Sequence, residues 1–344
     1  MAMDDVIKED VENFVKTFPV DEFGPQLRNA TFLITGATGL IGSSLIYCLL
    51  ALKQNIRVIA PVRNKAKALS MLTCASQIEL IECDLTSFNY ESLGNVDYIV
   101  HCAAPTSSIF FVEKPVETFN IIMQGTSALL DYARKRKLKG FVYLSSLEVY
   151  GENGDESVLM DESFQGYLNP ISVRSSYPMA KRATENLCHL YAKEYEVPVK
   201  IARLTQTTGA GIAKDDNRVI AQFARLALNG LDIVLHTKGE SARPYCYTMD
   251  SVSAILFILF KGKTGDVYNV ANESTYISAR GLAEYLKENF NPVINVKVEV
   301  NENMGYAPVT KQRLSSKKLE ELGWCPQYGL NEIFKRLCLY FKNK

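Results

Sequence analysis

The sequence predicts an α/β fold: a doubly wound parallel sheet with a smaller, interleaved C-terminal region. Two observations carry this. Short runs rich in β-branched residues, apolar on both faces, alternate with longer helical stretches from residue 31 onward, as expected of strands covered on both sides by helices. A glycine-rich turn, "TFLITGATGLIG", directly follows the first run and opens a helix, which is where a dinucleotide-binding sheet carries its phosphate turn.

The candidate strands are "TFLIT" (31–35), "RVIAPV" (57–62), "IELIEC" (78–83), "DYIVHCAA" (97–104), "GFVYLSS" (140–146) and "VKIARL" (199–204). Helical stretches lie between them, notably 42–53, 115–137 and 175–195. Ahead of the first strand, residues 5–18 read as an amphipathic helix, a docking or dimerisation element. After about residue 205 the alternation decays into loops and short helices. The chain therefore divides into a helical extension (1–30), a Rossmann dinucleotide-binding domain (31–205) and a mainly substrate-binding region (206–344), partly interleaved with that domain.

The totals limit what this fold does. At 344 residues, with 47% hydrophobic and 22% charged positions, the chain is a globular one able to bury a sizeable core. Lys+Arg and Asp+Glu are both 38, so no net positive field favours nucleic acid or acidic lipid. The longest apolar run of the C-terminal half, "AILFILF", is too short to span a bilayer, and the acidic start lacks the order of a signal peptide. Eight cysteines without a C-x-x-C pair suggest reduced thiols and the cytoplasm. Three scattered histidines have no metal-ligand spacing, so no metal is expected.

The glycine turn sets Gly36, Gly39 and Gly42 where backbone N–H groups approach a pyrophosphate at a helix N-terminus, with Thr38, Leu40 and Ile41 completing the cradle. The second strand ends in Val62-Arg63 rather than in the acid that binds the ribose hydroxyls of NAD. Arg63 suits the 2′-phosphate of NADP(H), which this reading favours over NAD. Asp84 and Leu85 follow the third strand at the adenine rim, and Ala103 and Ala104 pass beneath the cofactor.

Tyr177 and Lys181 stand one helical turn apart in "SSYPMAKRATE". A neighbouring ammonium stabilises phenolate, drawing the tyrosine towards the working range of a general base. That spacing also occurs at Tyr340 and Lys344, so it counts only in company. Here it follows a cofactor turn and a strand ending in Ser145-Ser146, all ordered to meet at one carboxyl edge. Glu148, in "SSLEVYG", is a further carboxylate in an apolar segment.

The segments "TGATGLIG", "DLT", "HCAAPTSS", "SSLEVYG", "YPMAK" and "RPYCYTMD" in this order resemble the extended short-chain dehydrogenase/reductases (SDRs) that modify nucleotide sugars. Within them "NPISVRSSYPMAKRATENL", "GAGIAKDDNRVIAQFARLALNG" and "SARPYCYTMDSV" look closest to UDP-glucuronate decarboxylases. The resemblance implies a shared oxidation at sugar carbon 4, with Tyr177 as base, Lys181 on the nicotinamide ribose and Ser146 in the catalytic hydroxyl position. It implies Arg243 on the diphosphate or sugar carboxylate, with Thr106, Gln206 and Arg218 as further substrate contacts. It also implies a homodimer through the helices at 115–137 and 175–195. A glutamate stands at the Glu148 position in the decarboxylases and in 4,6-dehydratases, so Glu148 favours a reaction that handles a carbon 5 substituent. Three residues depart from the decarboxylase pattern: Leu147 for a serine, Gln206 for an asparagine, and Val62-Arg63 for the NAD-type acid. The leading expectation is decarboxylation through a 4-keto intermediate, ahead of 4,6-dehydration and 4-epimerisation. A net NADPH-dependent reductase of a keto sugar, and a non-catalytic dinucleotide sensor, are the competing readings.

Overall fold

A computed structural model describes residues 3–153, 155, 157–301 and 309–343. Seven parallel strands form one sheet: β1 (Thr31–Thr35), β2 (Arg57–Val62), β3 (Ile78–Glu82), β4 (Tyr98–His101), β5 (Gly140–Ser146), β6 (Val199–Leu204) and β7 (Val267–Val270). Their order is β3-β2-β1-β4-β5-β6-β7. The order reverses between β1 and β4, which opens the crevice where doubly wound sheets bind ligands. The bounds of β1, β2, β5 and β6 are those of the sequence reading. β3 and β4 are shorter, because Cys83 and residues 102–104 already leave the sheet.

Alternation along each strand divides the core. Phe32, Ile34, Val58, Ala60, Val100, Val142 and Leu144 face one side, with α3 (Leu40–Ala51) and α7 (Thr248–Lys261). Leu33, Ile59, Ile99, Phe141 and Tyr143 face the other, against α4 (Pro115–Arg134) and α5 (Ser176–Glu194). Each such buried side chain contributes about 1.5–3 kcal/mol. α4 begins with proline at its first position, where the missing N–H costs nothing, and closes on Arg134, which suits the negative end of its dipole.

β7 and α7 come from beyond residue 205 and complete the sheet and one of its covering layers. The strand escapes an apolar-run search because Asn269 lies fully buried in it. Asn269 is satisfied by Tyr150 Oη (2.6 Å) and by the Met160 and Ser315 carbonyls.

The extension forms α1 (Asp5–Thr17) and α2 (Val20–Leu27). The sequence reading gave this segment to docking or dimerisation, but its apolar face is covered within the chain. Val6, Val11 and Phe14 are buried in the same core as α3 and α7. The cause is α3, whose residues Ser44 to Leu49 are all buried. A helix apolar all round needs cover on the side away from the sheet. Among the described residues no helix is long and apolar enough to cross a membrane.

Candidate active site

The glycine turn is packed as a phosphate cradle requires. A Cβ on Gly36 would meet Ala103 N at 2.8 Å, and one on Gly42 would meet Gly36 O at 2.3 Å. Gly36 has φ +69°, which glycine adopts freely. Gly39 caps α3 without a side chain, so no side chain competes for the N–H groups of the first turn at Leu40 and Ile41. These groups fit a pyrophosphate. Ala103 N donates to Thr35 Oγ1 (3.2 Å), which fixes the loop beneath the turn. Ala104 packs against the cluster of Phe111, Ile122, Tyr177 and Ala180, joining that loop to the surroundings of the tyrosine.

Beyond the ends of β2 and β3, Arg63 and Asp84 are both exposed. Asp84 is held below the usual carboxylate range, first by the Thr86 hydroxyl, then by the Thr86 N–H, with a smaller pull from Arg63. The two charges are therefore neighbours. Leu85 is half-buried and packs on the α4 side of the sheet.

The end of β5 and the start of α5 bring Ser146, Glu148, Tyr177 and Lys181 together. Ser146 hydrogen-bonds Tyr177, and its Oγ also accepts from Glu148 N (3.2 Å). Lys181 Nζ donates to Leu144 O (2.7 Å) and lies 5.8 Å from the centre of the Tyr177 ring. Glu148 Oε2 pairs with Arg174 Nη2 at 2.9 Å, both side chains about a third exposed (28% and 32%). Phe111 stacks face to face on Tyr177, 4.2 Å between centroids, and the Arg174 guanidinium lies over the Phe111 ring, 5.1 Å from its centroid.

One electrostatic expectation is corrected. The sequence reading has Lys181 lowering the Tyr177 pKa, but burial lifts that phenol above its ordinary value, and the Glu148 charge adds to the rise. The Ser146 hydroxyl and Arg174 act in the lowering direction and do not prevail. The Lys181 ammonium points at a carbonyl, and burial draws its own pKa down to about 8. Glu185, one turn further along α5, opposes that fall. It accepts from Ser145 Oγ and from Arg203 Nε and Nη2 in a buried network.

The remaining expected contacts, Thr106 excepted, lie beyond β6. Gln206 opens a short strand (Gln206–Thr208) paired with Tyr245–Tyr247, in register Tyr245↔Gln206. Arg243 precedes that partner strand and donates to Thr310 Oγ1 (3.2 Å). Thr106 is exposed in the loop after β4. Arg218 is engaged elsewhere, on the Asp216 carboxylate (2.9–3.1 Å) and the Thr207 carbonyl (2.7 Å). Leu147 turns into a cluster with Val149, Tyr150, Met160 and Leu314. Its side chain is core, so where a serine was expected no side-chain hydroxyl stands in this chain. Arg174, Phe111 and Glu185 were missed. For Glu185 the signal was present as a charge four residues after Lys181 on the same helix.

The model of the NAD dependent epimerase/dehydratase family matches residues 32–271. The chain belongs to this family. Among its members, UDP-glucuronic acid decarboxylase 3 of Arabidopsis thaliana is 33% identical over 306 residues, covering 88% of this chain and 86% of that protein. UDP-glucuronic acid decarboxylase 1 of Xenopus tropicalis is 26% identical over 346 residues (98% and 79%). UDP-glucose 4-epimerase of Thermotoga maritima, solved with UDP-glucose, superposes with TM-score 0.77 at 26% identity, over 91% of this chain and 99% of that one. The chain is thus an enzyme of the SDR superfamily whose relatives work on nucleotide sugars.

Proposed function

We propose that this family member converts UDP-glucuronate to the corresponding UDP-pentose through a 4-keto intermediate. The observation that carries the reading is the Ser146–Tyr177–Lys181 group with the Glu148–Arg174 pair beside it, in a chain one-third identical to UDP-glucuronic acid decarboxylases. Tyr177 takes the carbon 4 hydroxyl proton, Ser146 holds that oxygen, and Lys181 keeps positive charge below the phenol. A bound oxidised nicotinamide would accept the hydride and bring the further positive charge that a buried phenolate needs. Gly36, Gly39, Leu40, Ile41 and Gly42 would hold its pyrophosphate, with Thr38 beside them. The 4-ketone makes a carbon 5 carboxylate a β-keto acid, whose carbon–carbon bond breaks to release carbon dioxide. A proton is then delivered to carbon 5 by way of Glu148, whose orientation Arg174 fixes, and the hydride returns from the nicotinamide to carbon 4. Arg243, Gln206 and Thr106 belong to the nucleotide-sugar contacts.

NADP(H) is the proposed dinucleotide, supported by Arg63 at the end of β2, where no acid stands to bind ribose hydroxyls. A homodimer is proposed through α4 and α5, whose outer faces leave Val116, Phe119 and Leu190 exposed. A 4,6-dehydratase is the second reading, favoured by Leu147: the site has no hydroxyl at that position to relay a proton after decarboxylation.

Incubation with UDP-glucuronate, with and without NAD and NADP, read by mass spectrometry, tests the proposal. A product lighter by carbon dioxide is expected. Unchanged UDP-glucuronate beside a hexose nucleotide that loses water would replace decarboxylation by dehydration. In a parallel incubation supplied with NADPH, its steady consumption would point to a net reductase instead.

A further inference from the structure

The family model begins at residue 32, which leaves α1 and α2 outside it. Yet α1 reaches both halves of the proposed site. Gly211 (φ +100°) lies in the loop after the Gln206–Thr208 strand, and a Cβ there would come 3.3 Å from Leu40 Cδ1 and 3.8 Å from Ile7 Cδ1. Leu40 is the first residue of α3, immediately behind the glycine turn. The Ile7 and Leu40 side chains therefore both reach the space over Gly211, where the extension, the glycine turn and the loop after Thr208 come together.

A second contact holds α1 there. Asp10 is wholly buried, accepting from Tyr247 Oη on one oxygen and from Arg336 Nη1 on the other, both at 2.5 Å. Arg336, from α8 (Leu330–Lys342), also pairs with Glu332 (2.9 Å) and Glu9 (3.3 Å). Tyr247 pairs in register with Thr208, and a Cβ on the next residue, Gly209, would meet the Tyr247 ring at 3.1 Å. So the carboxylate of Asp10 fixes the tyrosine that backs the start of the substrate loop. Buried charge that a hydrophobic residue could replace is best explained where it sets registry.

We infer that α1 is a positioning element of the active site: Ile7 wedges Leu40 against Gly211, and Asp10 ties Tyr247 to Arg336, so that the dinucleotide turn and the nucleotide-sugar loop are held in one arrangement. The inference rests on the reading above that 36–42 takes the dinucleotide and that Gln206, at the start of the strand leading into this loop, contacts the nucleotide sugar.

The full-length protein tests it through four variants. Ile7→Ser and Tyr247→Phe loosen the wedge and the tie, Ile7→Val is the conservative rescue, and Phe14→Leu perturbs the core at the far end of the same helix. Dissociation constants for NADPH and for UDP are measured separately by fluorescence and calorimetry, alongside Tm and the split between KM and kcat. Ile7→Ser is expected to weaken both ligands by roughly tenfold, with kcat at saturation little changed and Ile7→Val close to the unsubstituted protein. Tyr247→Phe should weaken both in the same direction. Phe14→Leu should lower Tm without moving either constant. A Tm loss in Ile7→Ser and Tyr247→Phe with both constants unmoved would overturn the inference, as would weakening of one ligand alone. An unsubstituted protein that binds neither NADPH, NADH nor UDP would instead overturn the site reading itself, and the inference with it.

Discussion

At Glu148 the carboxylate meets a guanidinium 2.9 Å away and faces a phenol that burial has already made a weaker acid. These three side chains divide the chemistry. Oxidation at carbon 4 needs Tyr177, whereas the carbon 5 proton needs Glu148. Glu148→Gln should therefore still reduce the dinucleotide on first contact with substrate, while turnover falls by about 10²–10⁴. Absorbance of the reduced nicotinamide beside product formation checks this, and an undiminished turnover rate would remove Glu148 from the chemistry. His101 offers a separate test of the same core. It is buried between Thr35 Oγ1 (2.6 Å) and Thr126 Oγ1 (3.0 Å), and burial, with Lys181 second, lowers its pKa to about 3. Because the folded value lies below the ordinary 6.5, its contribution to stability is complete above that pH and is lost as pH falls towards 3. Asp10, raised by burial to about 6 from 3.8, acts in the opposite sense: its contribution is present below 3.8 and lost as pH rises through 6. The His101 effect is therefore read as the difference in Tm between the unsubstituted protein and His101→Gln, which should diminish from pH 7 to pH 4. A pH-independent difference would contradict it. The sequence made Ser146, Tyr177, Lys181 and Glu148 legible because motif spacing and an out-of-place charge both survive in one dimension. Arg174 and Phe111 were not legible, since their roles depend on a stack and an ion pair formed in three.

Strand and helix bounds came through where hydrophobic period and turn residues agree, as in β1, β2, β5 and β6. β7 was lost because Asn269 and its flanking polar residues look like loop until Tyr150, Met160 and Ser315 satisfy the amide. α1 was found as a helix but given a face to the outside, and the reason lies in another element. The apolar sides of α3 require a cover that the sequence of α1 alone cannot disclose. The turn after β2 carries the prediction that belongs to this scale. Arg63 stands exposed where the strand ends and has Asp84 as a neighbour across the turn. If it meets a 2′-phosphate, Arg63→Ala should cut the preference for NADPH over NADH by roughly tenfold or more, the worth of one charge-assisted hydrogen-bonded contact. Dissociation constants for both dinucleotides decide this, and an unaltered ratio would remove the 2′-phosphate role from Arg63.

Across the molecule, one reversal of strand order gathers residues from far apart: the glycine turn after β1, the alanines after β4, Ser146 at the end of β5 and Gln206 after β6. Function at this scale is a cycle, in which the hydride taken from carbon 4 must come back to the same sugar. The measurement that tests it most directly is turnover of UDP-glucuronate deuterated at carbon 4, with far less dinucleotide than substrate. The account expects a UDP-pentose that retains the deuterium while each cofactor serves many turnovers. A product whose deuterium has gone to solvent, or full turnover after the dinucleotide has been stripped away, would contradict oxidation at carbon 4 as the opening step.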